Sequence, residues 1–465
     1  MTQVHIFPEM SFSGLAKRML EQSPETVLRE LSRSAKHDVL STAFARYLDE
    51  KDEMRQLKKE FVFPTYVSEG KEKKYICLSG NILGLQPKSA KPLVTAVLNS
   101  WANKGVECHF VDPLPAASCE KYVSQQLGKL VGAKSEEVVA MNTVDVDLHL
   151  MLVSFYQPTT KRHKILFDSE SDYVNIAKSQ IVSHGFKVSE SLVSAPYQDT
   201  SFCLDMDDLI DFIEQNGESI ATILLPAILR KSGQFLDIER ITRTGHKKGC
   251  MVGLVLNDAV GNVDLKLNEW GVDFACWDTG RYINAGSSSM GCTFLHEKHS
   301  KNHFPKFTGW WSHRMSTRFE MTNELDRTPG VNGYKLSNLP PTKIAQIKAG
   351  LDIFGKISIE KIREKSILLN GYLETLLRLK YKCTEGCMDS DPIRMITPSN
   401  PSERGAQLSF KVKEDAKDIY EKLKKRGIIC SFYSLDVLTV CPAPLYCGFQ
   451  DVLLFVNALS EICEL

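Results

Sequence analysis

Short apolar runs alternate with amphipathic segments from about residue 164 onward, and this alternation constrains the fold more than any other feature. A helical stretch ending near His184 follows the first run, an extended run lies near Phe186–Val188, and a helix is predicted over Met206–Glu214. The buried runs are Ile165–Phe167, Ile220–Leu225, Met251–Leu256, Phe274–Cys276 and Cys292–Leu295. Continuous apolar strands between helices predict an α/β fold whose mainly parallel sheet is covered on both faces.

The two ends of the chain follow other patterns. The stretch up to about Phe63 is mostly helical, and apolar residues recur at helical spacing again after Pro341. Prolines and glycines cluster between residues 329 and 341, which favours a domain boundary near 325–340. Gly427 stands where it would end a helix. Further helices are predicted over 344–354, 359–379 and 415–426, and strands over 428–430 and 437–440.

These patterns predict three parts. A helical N-terminal segment, residues 1–75, packs with the small domain. Residues 76–330 form the large domain, and residues 331–465 form a smaller α+β domain.

Composition excludes several classes of protein. Lys+Arg and Asp+Glu both total 57, so no bulk basic surface suggests nucleic acid or an anionic membrane as a partner. No apolar run is long enough to span a membrane. The 13 cysteines lack paired CxxC spacing, and Cys250, Cys276 and Cys430 lie in apolar surroundings. We therefore expect reduced, buried thiols in a cytoplasmic protein, without a disulfide framework or a metal site.

The segment Asp273–Gly286, which reads DFACWDTGRYINAG, resembles the cofactor-anchoring segment of the kynureninase family. Members of that family use pyridoxal phosphate (PLP), and the resemblance implies that their Schiff-base lysine stands at the position of Arg281. A guanidinium stays protonated at physiological pH and offers no free amine to an aldehyde. We therefore expect no covalent aldimine here.

The resemblance extends from about residue 45 to the C-terminus. It implies a PLP-transferase type I fold, with a large domain built on a mainly parallel sheet of the seven-stranded type, a smaller α+β C-terminal domain, and a homodimer with active sites at the interface. The other segments that carry it are Gly80–Pro87, Ala259–Val263, Trp270–Trp277, Leu295–His299, Ser316–Phe319 and Pro444–Tyr446.

Most cofactor positions implied by the resemblance carry altered residues. Val255 stands where the family has the carboxylate that pairs with the pyridinium nitrogen, and Asp258 replaces a histidine. In the phosphate cradle, formed here by Val144 and its neighbour, Asp145 replaces a threonine that donates to the phosphate. Two further phosphate ligands, a serine and a tyrosine, are replaced by Pro226 and Gly280.

Substrate and interface positions are only partly retained. Thr439 replaces the arginine expected to bind the substrate carboxylate, whereas His109 matches a histidine that contacts substrate. Trp310 and Asn338 match residues that the partner subunit contributes to the pocket. Residues 170–173 align with the family's Phe-Pro-Ser-Asp stretch, after a short deletion.

Three arrangements of the altered pocket remain open. Arg281 could pair with Asp258, Asp145 or Asp278 and fill the old cavity with ion pairs, because buried charges need partners. It could instead anchor a small anionic ligand through its planar guanidinium. A metal site built from Asp145, Asp147, Asp258 and Asp278 is the third arrangement, but its spacing matches no known metal loop.

The leading interpretation is a kynureninase-like pseudoenzyme, a homodimer with a binding, scaffolding or regulatory function. It could also form a heterodimer with an active kynureninase. The first alternative is the family's PLP-dependent hydrolysis of kynurenine or 3-hydroxykynurenine to (3-hydroxy)anthranilate and alanine, with PLP as cofactor. The second is a protein that senses a small anion or a tryptophan metabolite.

Overall fold

The computed structural model describes residues 11–198, 202–381 and 392–463, and their contacts divide the chain into two units. Unit 1 contains the chain up to residue 85, residues 231–235 and the chain from residue 356 onward. Unit 2 contains residues 86–230 and 236–355. The boundaries at 75/76 and 330/331 remain a prediction about the folding domains.

The α-helices of the described residues are numbered in chain order. They are α1 (Phe12–Glu21), α2 (Pro24–Ala35), α3 (Thr42–Lys51), α4 (Ala90–Lys104), α5 (Lys121–Leu130), α6 (Val144–Phe155), α7 (Val174–Ser183), α8 (Val188–Ser191), α9 (Met206–Asn216), α10 (Ile238–Lys247), α11 (Pro341–Phe354), α12 (Ile359–Tyr381), α13 (Ala416–Lys425) and α14 (Phe449–Ile462).

The strands are numbered in the same way. They are β1 (Phe61–Val62), β2 (Thr65–Ser68), β3 (Lys71–Lys74), β4 (Ile76–Cys77), β5 (Gln86–Pro87), β6 (Val138–Met141), β7 (Lys164–Phe167), β8 (Leu192–Ser194), β9 (Ile220–Pro226), β10 (Met251–Val255), β11 (Phe274–Asp278), β12 (Gly291–Leu295), β13 (Ile393–Met395), β14 (Leu408–Val412), β15 (Ile428–Ile429), β16 (Ser431–Ser434) and β17 (Val437–Val440).

Unit 2 is built on a seven-stranded sheet with the order β6-β12-β11-β10-β9-β7-β8. Strands β7 to β11 pair in parallel, and β12 is antiparallel to both β11 and β6. The central strands are almost wholly buried because helices separate them in the sequence and cover the sheet. The predicted α/β fold with a mainly parallel sheet is confirmed.

The prediction of an extended run near Phe186–Val188 is wrong. Gly185 has a left-handed φ of 79° and ends α7, and the Phe186 amide donates to the carbonyl of Ile181. The Phe186 ring then stacks on His163 at 5.0 Å. The apolar residue therefore closes a helix C-terminus instead of starting a strand.

Unit 1 contains a four-stranded antiparallel sheet, β13-β14-β17-β16, and the long helix α12. Gly427 has a φ of 81° just after α13, as its predicted role at a helix end requires. Lys365 of α12 and Asp52 form a buried ion pair at 2.8 Å.

Two structural features are absent from the described ranges. None of their helices is both long and apolar enough to cross a membrane. No group of three or more His, Cys, Asp or Glu side chains in the same ranges is arranged to hold a metal ion. Cys250, Cys276 and Cys430 are buried free thiols, as predicted.

Candidate functional site

The candidate site lies in unit 2, at the carboxyl ends of neighbouring parallel strands. Pro226 and Val255 end β9 and β10 and are paired in register. Asp278 ends β11, Asp258 follows β10, and Arg281 follows β11. Open α/β sheets bind their ligands at this edge because the loops after the strands converge there.

Arg281 is held between two carboxylates. Its Nη1 atom donates to Oδ1 of Asp258 at 2.6 Å, and its Nε atom lies 3.2 Å from Oδ2 of Asp278. The side chains of Arg281 and Asp258 are only 13% and 11% exposed. Burial alone would lower the pKa of Arg281, but attraction to both carboxylates outweighs it and raises the pKa above its ordinary value. Arg281 is thus a permanent cation in a closed network.

The turn that presents Arg281 is tightly constrained. Asp278 accepts a hydrogen bond from the Gly280 amide at 2.8 Å, and the Asn284 amide donates to the Arg281 carbonyl at 3.1 Å. A Cβ atom on Gly280 would lie 2.6 Å from the carbonyl oxygen of Gly286. No side chain fits at position 280 without movement of this turn, so the backbone here does not accept the tyrosine that the resemblance implies for this position.

The segment after β7 borders the same site. The hydroxyl of Tyr173 accepts a hydrogen bond from the side-chain amide of Asn257. The side-chain oxygen of Asn257 in turn accepts a hydrogen bond from the backbone amide of Asp278 at 2.8 Å. Asp172 of the same segment forms an ion pair with Arg230. Burial raises the pKa of Tyr173 to about 12, so its hydroxyl stays neutral.

The cavity enclosed by these residues has a volume of about 30 Å³. Sites for small-molecule cofactors are typically roughly 300–1,000 Å³. Val255 on its wall has no hydrogen-bonding atom for a pyridine nitrogen, and Arg281 supplies no amine. Together with the closed turn at Gly280, these residues do not fit a covalently bound PLP.

The structure does not bring every predicted site residue to Arg281. Asp145 is exposed on the first turn of α6 and forms no ion pair with Arg281, and Val144 beside it is buried. His109 and Asn338 are exposed. Thr439 belongs to β17 of unit 1, where its hydroxyl lies 2.6 Å from that of Ser431. Of the three ion pairs considered for Arg281, those with Asp258 and Asp278 are present.

Sequence reasoning missed Asp168, Arg230 and Asn257 at this site. Asp168 directly follows β7, and Asn257 directly follows the predicted strand Met251–Leu256, so their positions after predicted strands were a usable signal. Arg230 lies in a loop after β9, and no pattern marked it.

Asp147 is a second unusual carboxyl near this edge of the sheet. It is fully buried on α6, its Oδ1 accepts a hydrogen bond from Asn142 at 2.9 Å, and its Oδ2 has no hydrogen-bond partner. Burial raises its pKa well above the ordinary value, although hydrogen bonds from Asn142 and Thr293 act in the opposite direction.

We expect Asp147→Asn to stabilise the protein by about 1–3 kcal/mol at pH 8, because an amide carries no buried charge. The pKa of Asp147 is higher in the folded than in the unfolded state, so the contribution of this carboxyl to stability falls as pH rises above about 4. The gain should therefore shrink toward pH 4 in urea unfolding at several pH values. Exposed Asp145→Asn is the control, with a change within about 0.5 kcal/mol. Equal gains at pH 4 and pH 8 would contradict the assignment.

Comparisons with known proteins agree with one another. Residues 362–459 match the family described as the kynureninase C-terminal domain. The chain is 37% identical to the kynureninase of Nematostella vectensis over 454 residues, covering 94% of this chain and 97% of that one. It is 36% identical to the kynureninase of Homo sapiens over 456 residues, covering 96% and 98%.

Solved structures support the fold alone. A cysteine desulfurase from Thermococcus onnurineus superposes with a TM-score of 0.68 at 14% identity, covering 84% of this chain and 95% of that one. A mutant of the lyase C-DES, with glycine covalently linked to its PLP cofactor, gives a TM-score of 0.65 at 15% identity, with 83% and 96% covered. The chain therefore has the fold of these two proteins.

Proposed function

This chain belongs to the kynureninase family, and from that premise we propose that it is a member without PLP-dependent catalysis. The observation that carries the proposal is the ion-pair network of Arg281, Asp258 and Asp278. The resemblance assigns the position of Arg281 to the family's Schiff-base lysine. A pseudoenzyme of this kind acts by binding, scaffolding or regulating other molecules.

Several independent changes in one pocket support the proposal. Covalent PLP catalysis needs a neutral amine to form the aldimine. The PLP ring acts as an electron sink only when its nitrogen has a hydrogen-bonding partner. Arg281 and Val255 provide neither. Because both positions and Gly280 differ from the family pattern, a single substitution does not account for the loss.

The test is the visible spectrum of the purified protein with excess PLP, before and after borohydride reduction. We expect no reducible aldimine band. After reduction, mass spectrometry should find no covalent PLP adduct on peptides from the segment between the start of α6 and the end of β12. A kynureninase relative measured alongside is the positive control. A reducible band attached to any lysine of this chain would overturn the proposal.

A second candidate is the activity of the relatives themselves. Identity of 36–37% to proteins named kynureninase over nearly the whole chain favours it. This activity would be PLP-dependent hydrolysis of kynurenine or 3-hydroxykynurenine, and it would require an amine other than residue 281. Release of anthranilate from kynurenine by the purified protein distinguishes the two candidates directly.

We propose that the protein works as a homodimer through an exposed aromatic cluster of unit 2. Phe110, Trp310 and Phe319 are 58%, 51% and 44% exposed. The Phe319 ring lies 5.8 Å from both other rings, edge to face. A contiguous exposed apolar surface of this kind is typical of a protein interface. A heterodimer with an active kynureninase would use the same surface.

Phe110→Asp should weaken dimerisation by about 2 kcal/mol, roughly 30-fold, since it puts a charge among these rings. Sedimentation velocity over a concentration series measures the change. Phe432→Asp, at a partly exposed aromatic of unit 1, is the matched control and should leave dimerisation unchanged. A Phe110→Asp protein that dimerises as well as the parent would exclude this surface.

Two other predictions remain proposals. The cytoplasm is the proposed location, in keeping with the free buried thiols. Binding of a small anion at Arg281 would have to compete with Asp258 and Asp278, which already occupy its guanidinium. The existing ion pairs therefore weigh against the anion.

A further inference from the structure

A larger cavity lies within unit 1. Its volume is about 460 Å³, against about 30 Å³ for the cavity beside Arg281. Small-molecule sites typically have volumes of roughly 300–1,000 Å³. The cavity is lined by the C-terminal half of α3 and the turn after it, by Lys365 of α12 and by the start of α14, all of which belong to unit 1. Its dimensions therefore suit a small molecule.

Three carboxylates on the wall of this cavity already have partners. Asp52 contacts the ammonium of Lys365 at 2.8 Å, and Asp451 contacts that of Lys58 at 2.8 Å. Asp49 accepts hydrogen bonds from the first two amides of α14 at 2.6 and 3.2 Å. Each of these negative charges is thus compensated locally, and the start of α14 is occupied by Asp49.

Two arginines on the same wall are not compensated. Arg46 is exposed, and its guanidinium forms no ion pair or hydrogen bond with the part of the chain that the structure describes. Arg55 is also exposed, and within the described ranges its guanidinium makes only one hydrogen bond, from Nη1 to the backbone carbonyl of Glu50 at 2.9 Å. A guanidinium carries five N–H donors in a planar fork. The cavity wall therefore presents two positive groups with free donors.

The inner wall adds a buried donor and an apolar surface. The Lys365 side chain is 2% exposed, and its ammonium contacts Asp52 and the backbone carbonyl of Pro444, the latter at 2.6 Å. An ammonium has three N–H groups, so one has no acceptor among the described residues and can donate to a ligand. Met54 and Tyr446 also line the cavity and are buried, which suits the carbon atoms of a ligand.

The uncompensated charges select the class of ligand. A phosphate monoester is a dianion near neutral pH, because its second pKa is about 6. It matches two guanidinium groups in charge, and each planar fork can hold two phosphate oxygens. A single carboxylate would leave one guanidinium without a partner. The exposed carboxylate of Glu50 on the same wall weakens the attraction for any anion.

We propose that this cavity binds a soluble phosphate monoester, with Arg46 and Arg55 holding the phosphate and Lys365 as a buried donor beside it. A concave cavity of this size encloses a soluble ester, whereas a membrane surface binds protruding basic or amphipathic segments. The cavity shares no lining residue with the pocket of Arg281. Failure of this inference and failure of the proposed function are therefore independent of each other.

The experiment is isothermal titration of the full chain with glycerol 3-phosphate at fixed ionic strength. We expect saturable binding that weakens about tenfold or more in Arg46→Gln and in Arg55→Gln, because each variant loses a charge-assisted contact. Glu50→Gln should strengthen binding about twofold or more, since a negative charge leaves the wall. The matched control is Arg33→Gln, at an exposed arginine of α2 outside the cavity, which should leave the affinity unchanged.

Two further measurements distinguish this ligand from other sources of binding. Glycerol and sodium chloride should give no saturable heat, and vesicles containing phosphatidic acid should leave the protein in the supernatant after sedimentation. All four variants change exposed side chains, so their thermal unfolding midpoints should match that of the parent. Absence of saturable binding, unchanged affinity in both Arg46→Gln and Arg55→Gln, an equal loss in Arg33→Gln, or sedimentation with the vesicles would overturn the inference.

Discussion

Arg281→Lys will not give this protein kynurenine hydrolysis. The introduced ammonium would lie between Asp258 and Asp278, whose carboxylates hold a cation protonated and keep it from attacking an aldehyde. Val255 would still leave the ring nitrogen without a partner. We expect turnover roughly 10⁶-fold below that of an active relative, the loss typical when a covalent catalyst cannot act. Anthranilate release under single-turnover conditions measures it.

The double variant Arg281→Lys/Asp258→Asn separates aldimine formation from turnover. Removing the Asp258 carboxylate lowers the pKa of the introduced lysine, because one of its two neighbouring negative charges is gone. The amount of borohydride-reducible PLP adduct should therefore increase relative to Arg281→Lys alone. Turnover should stay absent, because Val255 is unchanged. Measurable turnover in the single variant would show that the other altered positions do not matter.

The fold could be predicted because its central strands are continuous apolar runs. Ile220–Leu225 and Val252–Leu256 are buried on both faces, and such runs are typical of a covered parallel sheet. The edge strand β8 could not be placed, because its three residues are only partly buried and carry a weak pattern. Phe186 misled the prediction, since one apolar residue after a glycine fits a helix end as well as a strand.

At the site, the Arg281–Asp258 pair could be foreseen because both residues follow adjacent strands. The steric role of Gly280 could not, since it depends on the carbonyl of Gly286 across the turn. The resemblance implies a short deletion just before residues 170–173, and the contact of Asp168 with Tyr197 depends on tertiary packing. Such contacts leave no periodic signal in a single sequence.

The second large effect concerns stability. Asp258→Asn should destabilise the protein by about 3 kcal/mol, because it leaves the Arg281 guanidinium buried with only the longer contact to Asp278. Urea unfolding measures the change. Asp326→Asn is the matched control: its pair with Arg314 has a similar 3.0 Å contact but is about half exposed, so the change should stay below about 1 kcal/mol.

Replacing both partners should recover most of that loss. In Asp258→Asn/Arg281→Met the unpaired guanidinium is gone and only the partly exposed Asp278 loses an ion pair, and apolar replacement of a buried ion pair is often neutral. The double-mutant cycle should therefore give a coupling energy of about 2 kcal/mol between the two residues. Additive single effects would mean that Arg281 is solvated independently of Asp258, and a scaffold closed by this ion pair would then be the wrong description of the pocket.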